Sequence, residues 1–148
     1  MVGSRFTKLV EKHSEELSRE LALKLHASSR TRSFHDVPLD DLQRDIGVLY
    51  QNLGDWLLYR TEADVRARYS EIGRRRAEQG IPPEELMWAF TVAREHIIEF
   101  LHREAVGNGA LALFSELAFI SSLTQFFDRA VYHAIAAQSA VLHQKAVA

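Results

Sequence analysis

The segment from Ala110 to about Lys145 contains neither proline nor glycine, so it can form one uninterrupted helix. At 1.5 Å per residue, this helix would be on the order of 50 Å long. Its apolar side chains fall into two adjacent rows at 100° per residue. The first row is Leu113, Leu117, Ile120, Phe127, Val131, Ile135 and Leu142, and the second row is Phe119, Leu123, Phe126, Ala130, Ala137 and Val141. Together the rows cover roughly half of the circumference, more than the ~100° stripe of an ordinary surface helix.

Such a wide apolar face has two explanations. One is a central position for the helix in the bundle of its own domain. The other is a second partner, most simply a copy of the same chain across a two-fold axis. Because the segment is also longer than the other predicted helices, we favour a homodimer and place Leu123, Phe126, Phe127 and Ala130 at its seam.

The preceding part of the chain has the apolar periodicity of shorter helices. The predicted helices extend from about Phe6 to Leu25, from Pro38 to about Leu57, from Thr61 to Gln79, and from Pro82 to the turn Gly107-Asn108-Gly109. Thr61 is a suitable helix cap, and Gly80 is the residue type preferred just after a helix. The polar stretch 28–37 is typical of a loop. The sequence therefore predicts an all-α fold, with about five helices in an antiparallel bundle and a single domain over residues 1–148.

The composition narrows the functional classes. A formal charge of -2 argues against a dedicated nucleic-acid binder. The lack of cysteine excludes disulfides, thiolate zinc sites and a cysteine nucleophile, and it fits a reducing compartment. The N-terminus has no apolar core of a signal peptide, and no apolar run approaches the roughly 20 residues of a membrane span. We expect a cytoplasmic chain with no membrane span and no nucleic-acid partner.

Patterns for catalysis or metal binding are weak. The chain has no nucleophile elbow and no glycine-rich phosphate loop, so we expect no enzyme and no catalytic residue. Glu99 and His102 have the Glu-x-x-His spacing of a bundle di-iron site, which requires two such motifs, and the chain has one. His13 and His96 lie on or beside apolar faces, where they are either hydrogen-bonded core residues or haem ligands. We expect no metal and no cofactor, and keep a haem- or metal-binding sensor as an alternative.

Five of the fourteen arginines lie within eleven residues of the third predicted helix. They are Arg66, Arg68, Arg74, Arg75 and Arg76. Arg74 and Arg76 flank the position that continues the apolar stripe, so one of them should point inward, towards a carboxylate or an anionic ligand. Trp88 projects from the polar side of the fourth helix, towards either another helix or a partner. We take Tyr69, Arg74, Arg76 and Trp88 as candidates for a signal- or partner-facing surface.

The segment from Ile72 to Leu86, IGRRRAEQGIPPEEL, superficially resembles the first half of a helix-turn-helix motif. A true motif needs a short second helix, another turn and then a recognition helix. Here MWAFTVAREHIIEFLHRE continues without a breaker for about five turns. This unbroken helix argues against the motif, and we keep a DNA-binding regulator of this type only as an alternative.

The residues from Tyr69 to Arg94, YSEIGRRRAEQGIPPEELMWAFTVAR, resemble the signature of the N-terminal domain of RsbRD-type RsbT co-antagonist proteins. That pattern has a tyrosine, Gly-x-x-Arg, a Gly-Ile turn, an acidic-Leu helix start and a later arginine. The matching positions are Tyr69, Gly73, Arg76, Gly80, Ile81, Glu85, Leu86, Ala89 and Arg94. The stretches Gly54–Thr61 and Phe126–Ile135 also resemble the family.

The resemblance implies an all-α sensory or regulatory module, usually placed before an output domain such as a STAS or histidine-kinase domain. Related modules are globin-like without haem and dimerise, and the family brings no catalytic residues and no defined ligand. No output domain precedes Ala148, so the chain is either a fragment or a stand-alone relative. We predict a non-catalytic N-terminal signal-input and dimerisation domain of a bacterial signalling protein, acting with an output domain or partner of the STAS or histidine-kinase type.

Overall fold

A computed structural model describes residues 3–104 and 110–147, and its regular structure is helical throughout those ranges. The helices are α1 (Gly3–Lys12), α2 (Ser14–Ala27), a 3-10 helix (Ser29–Asp36), α3 (Leu39–Gln51), α4 (Leu53–Leu58), α5 (Glu62–Glu78), α6 (Pro83–Arg103) and α7 (Ala110–Val147). The predicted all-α class and the long C-terminal helix are confirmed. The predicted turn at 107–109 lies outside the described residues. In the described ranges, no helix is long and apolar enough to cross a membrane.

Two of the predicted helices are each divided into two. The first divides at His13, with φ -103° and ψ 18°, and the second divides at Asn52, with φ -121° and ψ 26°. At both residues the backbone N–H bonds to the carbonyl three residues earlier, as in a 3-10 turn. A hydrogen bond joins α1 to α4: Glu11 Oε2 accepts it, at 2.9 Å, from the N–H of Gly54 in the first turn of α4. That carboxylate satisfies a donor that a helix N-terminus leaves without an intrahelical partner.

The segment predicted as a loop at 28–37 contains the 3-10 helix. Thr31 interrupts it with φ -127° and ψ 39°. The hydroxyl of Thr31 is fully buried and donates a 2.7 Å hydrogen bond to the carbonyl of Leu25 at the end of α2. Phe34, in the same segment, is also buried, so this mainly polar sequence still contributes a side chain to the core.

Both predicted boundaries of α5 are confirmed. Thr61 and Asp64 form a reciprocal capping box, in which each side chain accepts a hydrogen bond from the other residue's backbone N–H, at 3.2 and 2.9 Å. Hydrogen bonding to the Asp64 carboxyl by the Thr61 backbone N–H, and secondarily by the Thr61 side chain, holds the pKa of that carboxyl below its usual range. Gly80 follows the helix with φ +79°, a conformation that side chains with a Cβ rarely adopt.

Helix α7 packs most extensively on α5 and then on α6. Its second row supplies this contact, since Phe119, Leu123, Phe126 and Ala130 are buried. An aromatic cluster joins the helices, with the ring of Phe126 lying 5.6 Å from Tyr69 and 6.0 Å from Trp56. One face of α7 therefore forms part of the core of the domain.

Candidate functional site

A cavity of about 80 Å³ lies among α2, α3, α5 and α6, and Phe127 of α7 contributes to its wall. The wall is mainly apolar and includes Phe34, Leu42, Ile46, Ile72, Ala89 and Phe90. Four polar residues also line it, namely Asp45, Tyr50, Tyr69 and Arg76. An apolar cavity with a few convergent polar groups is the usual form of a small-molecule site.

Arg76 is the arginine that points inward, and its side chain is only 4% exposed. Its Nη2 donates a 2.7 Å hydrogen bond to Asp45 Oδ2, and its Nη1 donates a 2.8 Å hydrogen bond to Gln79 Oε1. Arg74 is exposed. The prediction that one of these two arginines turns inward to a carboxylate is thus confirmed. Burial lowers the pKa of the Arg76 guanidinium and Asp45 raises it, but an arginine remains charged in proteins.

Asp45 is contacted by two further arginines. Arg75 Nη2 lies 2.8 Å from Asp45 Oδ2, and Arg68 Nη2 lies 3.9 Å from Asp45 Oδ1. Asp45 has an 18% exposed side chain, so the cluster is partly shielded from water. Three guanidinium groups surround one carboxylate, and these four groups together carry an excess of two positive charges.

The two tyrosines of the cavity are protonated. Burial raises the pKa of both phenol hydroxyls, and for Tyr50 the negative charge of Glu20 raises it further. The Tyr50 hydroxyl donates a 3.3 Å hydrogen bond to the carbonyl of Ala93 on α6. Both phenols therefore carry no charge near neutral pH, and that of Tyr50 acts as a hydrogen-bond donor.

The four residues predicted for a signal-facing surface occupy three different places. Tyr69 and Arg76 line the cavity. Arg74 lies on the outside of α5, and Trp88 is half-buried on α6. The guanidinium of Arg30 lies 4.5 Å from the centre of the Trp88 ring, so the 3-10 helix covers this tryptophan. Asp45, which organises the arginines, is the residue that the sequence analysis missed.

The histidines singled out for metal or haem binding contact other groups. His96 is buried, with Nδ1 3.1 Å from Lys24 Nζ and Nε2 3.4 Å from Glu20 Oε1. The ring of His13 packs 5.4 Å from that of Phe100. Neither histidine lines the cavity.

The Glu-x-x-His pair is divided between two partners. Glu99 Oε2 lies 3.6 Å from Lys24 Nζ, and His102 Nε2 lies 2.9 Å from Glu116 Oε1 on α7. Among residues 3–104 and 110–147, no group of three or more His, Asp or Glu side chains is arranged to hold a metal ion.

The segment that resembles the first half of a helix-turn-helix motif is followed by one unbroken helix, as predicted. Helix α6 extends over 21 residues, from Pro83 to Arg103. Of the five clustered arginines on α5, three contact Asp45, and Arg66 and Arg74 remain exposed. The basic cluster thus forms mainly an intramolecular network.

The first apolar row of α7 lies largely on the surface. Leu113, Leu117 and Leu142 are 58%, 57% and 39% exposed. The remaining members Ile120, Val131 and Ile135 are half-buried, and Phe127 is buried. The adjoining flank also exposes Phe114 and Tyr132. Helix α7 thus directs one apolar row into its own domain and leaves much of the other uncovered.

The four residues predicted for a dimer seam lie on the inner side of α7. Leu123, Phe126, Phe127 and Ala130 are each at most 5% exposed, because α5 and the aromatic cluster cover them. A second copy of the chain could reach them only if the core opened. The surface that a partner can reach is the first row.

The family model of the RsbT co-antagonist protein rsbRD N-terminal domain matches residues 15–146. No curated protein and no solved structure matches the chain significantly. The residues that carried the resemblance have defined places in the fold: Tyr69 and Arg76 line the cavity, and Gly80 ends α5.

Proposed function

Because the chain belongs to the family of RsbT co-antagonist RsbRD N-terminal domains, a regulatory family of stress-response signalling, we propose that it is a non-catalytic signal-input and dimerisation domain. The family match spans nearly the whole chain and supports treating residues 1–148 as one domain. A cytoplasmic location is part of this proposal, and the lack of cysteine is compatible with a reducing compartment. Its globin-like character stays a prediction.

The observation that carries the dimerisation proposal is the exposed first row of α7. The row extends from Leu113 to Leu142, about 44 Å at 1.5 Å per residue, and its exposed members are Leu113 and Leu117 near one end and Leu142 at the other. A two-fold axis brings the same patch of both copies together, so a long apolar row on a helix finds a surface of equal length in a second copy. We therefore place the proposed seam on Leu113, Leu117 and Ile120 and their continuation along α7.

Signal transfer would use the contact between α5 and α7. Gly73 of α5 lies against the backbone of Ala134 of α7. Tyr69 and Arg76, one turn to either side of Gly73, line the cavity. A change at the cavity would thus act on the same stretch of α5 that touches the dimerisation helix. Packed helices commonly respond by small translations or rotations at subunit interfaces.

The partner that reads this shift is proposed to be an output domain or signalling protein of the STAS or histidine-kinase type. The support is the regulatory family, whose name refers to co-antagonists of RsbT. A co-antagonist has no need of a reaction centre of its own, which fits a non-catalytic role.

Sedimentation of charge variants tests the dimerisation proposal. Leu117→Glu places a carboxylate in the exposed row, and Leu23→Glu is the matched control, because Leu23 is 50% exposed on α2, away from α7. We expect the unmodified chain and Leu23→Glu to sediment as dimers and Leu117→Glu to sediment as a monomer. Three monomers, or three dimers, would contradict the proposed seam.

A further inference from the structure

We propose that the cavity among α2, α3, α5 and α6 binds a small monocarboxylate with a short apolar tail. The carboxylate would pair with the guanidinium of Arg76, and the tail would fill the apolar part of the cavity. Apart from the buried Phe127, no residue of the first row of α7 lines this cavity, so the proposal stands whether or not the chain dimerises.

The charge around Asp45 favours an anion. Arg68, Arg75 and Arg76 all contact this one carboxylate. The Nε of Arg75 is buried and has no hydrogen-bond partner. A buried polar group without a partner is unusual in folded proteins and calls for an explanation. A second carboxylate would reduce this excess positive charge, and of the three arginines it is Arg76 that lines the cavity and could contact it.

Arg76 also retains the capacity to bind a ligand. A guanidinium carries five N–H groups in a fixed fork, and carboxylates match that geometry. The hydrogen bonds of Arg76 go to Asp45 and Gln79, one from each terminal nitrogen. Because Arg76 lines the cavity and is shielded from water, a charge-assisted hydrogen bond from it would be stronger than one at the surface.

The size of the cavity limits the tail. Its volume of about 80 Å³ is roughly half of the ~150 Å³ cavity that accommodates benzene in another protein. A tail of a few carbons is therefore the expected size. Ala89 and Ala93 keep this space open from the side of α6, since both line the cavity with the smallest side chain that carries a Cβ.

A ligand at this site would touch the helix that the dimerisation proposal uses. Phe127 of α7 lines the cavity, as do Tyr69 and Ile72 of α5. Occupation of the cavity would press on both sides of the α5–α7 contact at once. The site is thus positioned to relay the presence of a metabolic acid to the rest of the domain.

An NMR titration with four probes tests the ligand class. The full chain is titrated with butanoate, acetate, 1-butanol and butylammonium, at an ionic strength fixed with sodium chloride. We expect saturable shifts at Ile72, Ala89 and Ala93 with butanoate, and at least about tenfold weaker binding of each other probe, the loss expected for one charge-assisted hydrogen bond or for the apolar tail. Equal binding of butanol would show an unselective apolar cavity and overturn the proposal, as would the absence of saturable shifts with butanoate.

Three variants test the position of the site. Arg75→Gln removes one of the clustered charges, and Arg74→Gln makes the same change at an exposed neighbour in the same helix. Ala89→Val fills part of the cavity without altering charge. We expect Ala89→Val to weaken butanoate binding about tenfold, Arg75→Gln to weaken it by a smaller factor through the loss of one clustered charge, and Arg74→Gln to leave it unchanged. Equal effects of the two arginine variants would show nonspecific charge attraction and overturn the proposal. A thermal melt of each variant separates loss of binding from loss of the fold.

Discussion

Gly73 of α5 faces the backbone of Ala134 of α7 so closely that a Cβ at position 73 would overlap the Ala134 carbonyl. The atoms it would meet belong to the backbone, so they cannot move aside by a side-chain rotation. This contact lies between the two helices that pack most extensively in the domain. The spacing of α5 and α7 therefore depends on the lack of a side chain at residue 73.

Gly73→Ala should lower the free energy of unfolding by about 3 kcal/mol, because overpacking in a core typically costs 1–3 kcal/mol and here the obstacle is rigid. Gly47→Ala is the matched control, since the nearest atom to its added Cβ lies 3.8 Å away. That variant should be neutral or up to about 1 kcal/mol more stable, because alanine is favoured over glycine in a helix. Urea denaturation measures both. A fully stable Gly73→Ala would show that α5 and α7 can separate at no cost.

Asp45→Asn should lower the free energy of unfolding by about 3 kcal/mol, since it leaves the buried guanidinium of Arg76 without its charge partner. Asp41→Asn is the comparison, because Asp41 and its partner Arg44 are 53% and 70% exposed and such pairs contribute at most about 1 kcal/mol. Chemical denaturation at one pH separates the two. Equal small losses would mean that the arginine cluster is stable without its carboxylate.

Thr61→Ala should lower the free energy of unfolding by about 1 kcal/mol, because it removes one half of the capping box at the start of α5. Thr91→Ala is the control within a helix, where the Thr91 hydroxyl donates to the Met87 carbonyl and serves no cap. The control should be neutral or slightly stabilising. Thermal and urea unfolding measure both variants. An equal loss of stability in Thr61→Ala and Thr91→Ala would contradict a specific role of the Thr61 cap.

His96 should make the fold less stable in mild acid. Burial lowers the pKa of His96, and Lys24 lowers it further, as does Arg103, whereas Glu20 and Glu99 raise it. The folded-state pKa therefore lies below the ordinary value of 6.5. Between these two pKa values the unfolded chain binds more protons than the folded chain. The contribution of His96 to the free energy of unfolding is therefore fully present above pH 6.5 and is lost as the pH decreases through that window.

The matched variants for this effect are His96→Asn and His143→Asn. His143 is exposed near the end of α7. Urea midpoints recorded at a series of pH values should lose part of their acid dependence in His96→Asn and keep it in His143→Asn. An unchanged pH profile in His96→Asn would assign the acid sensitivity to other groups.

Local signals in the sequence identified much of the fold. The caps at Thr61 and Gly80 depend on side-chain and backbone chemistry within a few residues, so they could be predicted from the chain alone. The breaks at His13 and Asn52 could not, because neither residue is a helix breaker. Their positions depend on tertiary contacts such as the one between Glu11 and Gly54.

The candidate site was predicted in part. The apolar stripe of α5 indicated that an arginine would turn inward, and Arg76 does so. Its partner Asp45 lies on α3, 31 residues earlier, and periodicity within one helix cannot identify a partner on another. The same limitation applies to α7: the width of its apolar face was evident, but which row enters the core depends on where α5 packs.

The central claim is that the first row of α7 faces a second copy, and a distance between spin labels tests it most directly. The chain has no cysteine, so Ser121→Cys, beside the row, and Glu15→Cys on α2 each create one labelling site per chain. Both positions are exposed. With one nitroxide per chain, any dipolar coupling must arise between copies. We expect clear coupling for both labels, with a shorter distance for Ser121→Cys than for Glu15→Cys. No coupling, or a shorter distance at Glu15→Cys, would show that the first row of α7 does not face a second copy.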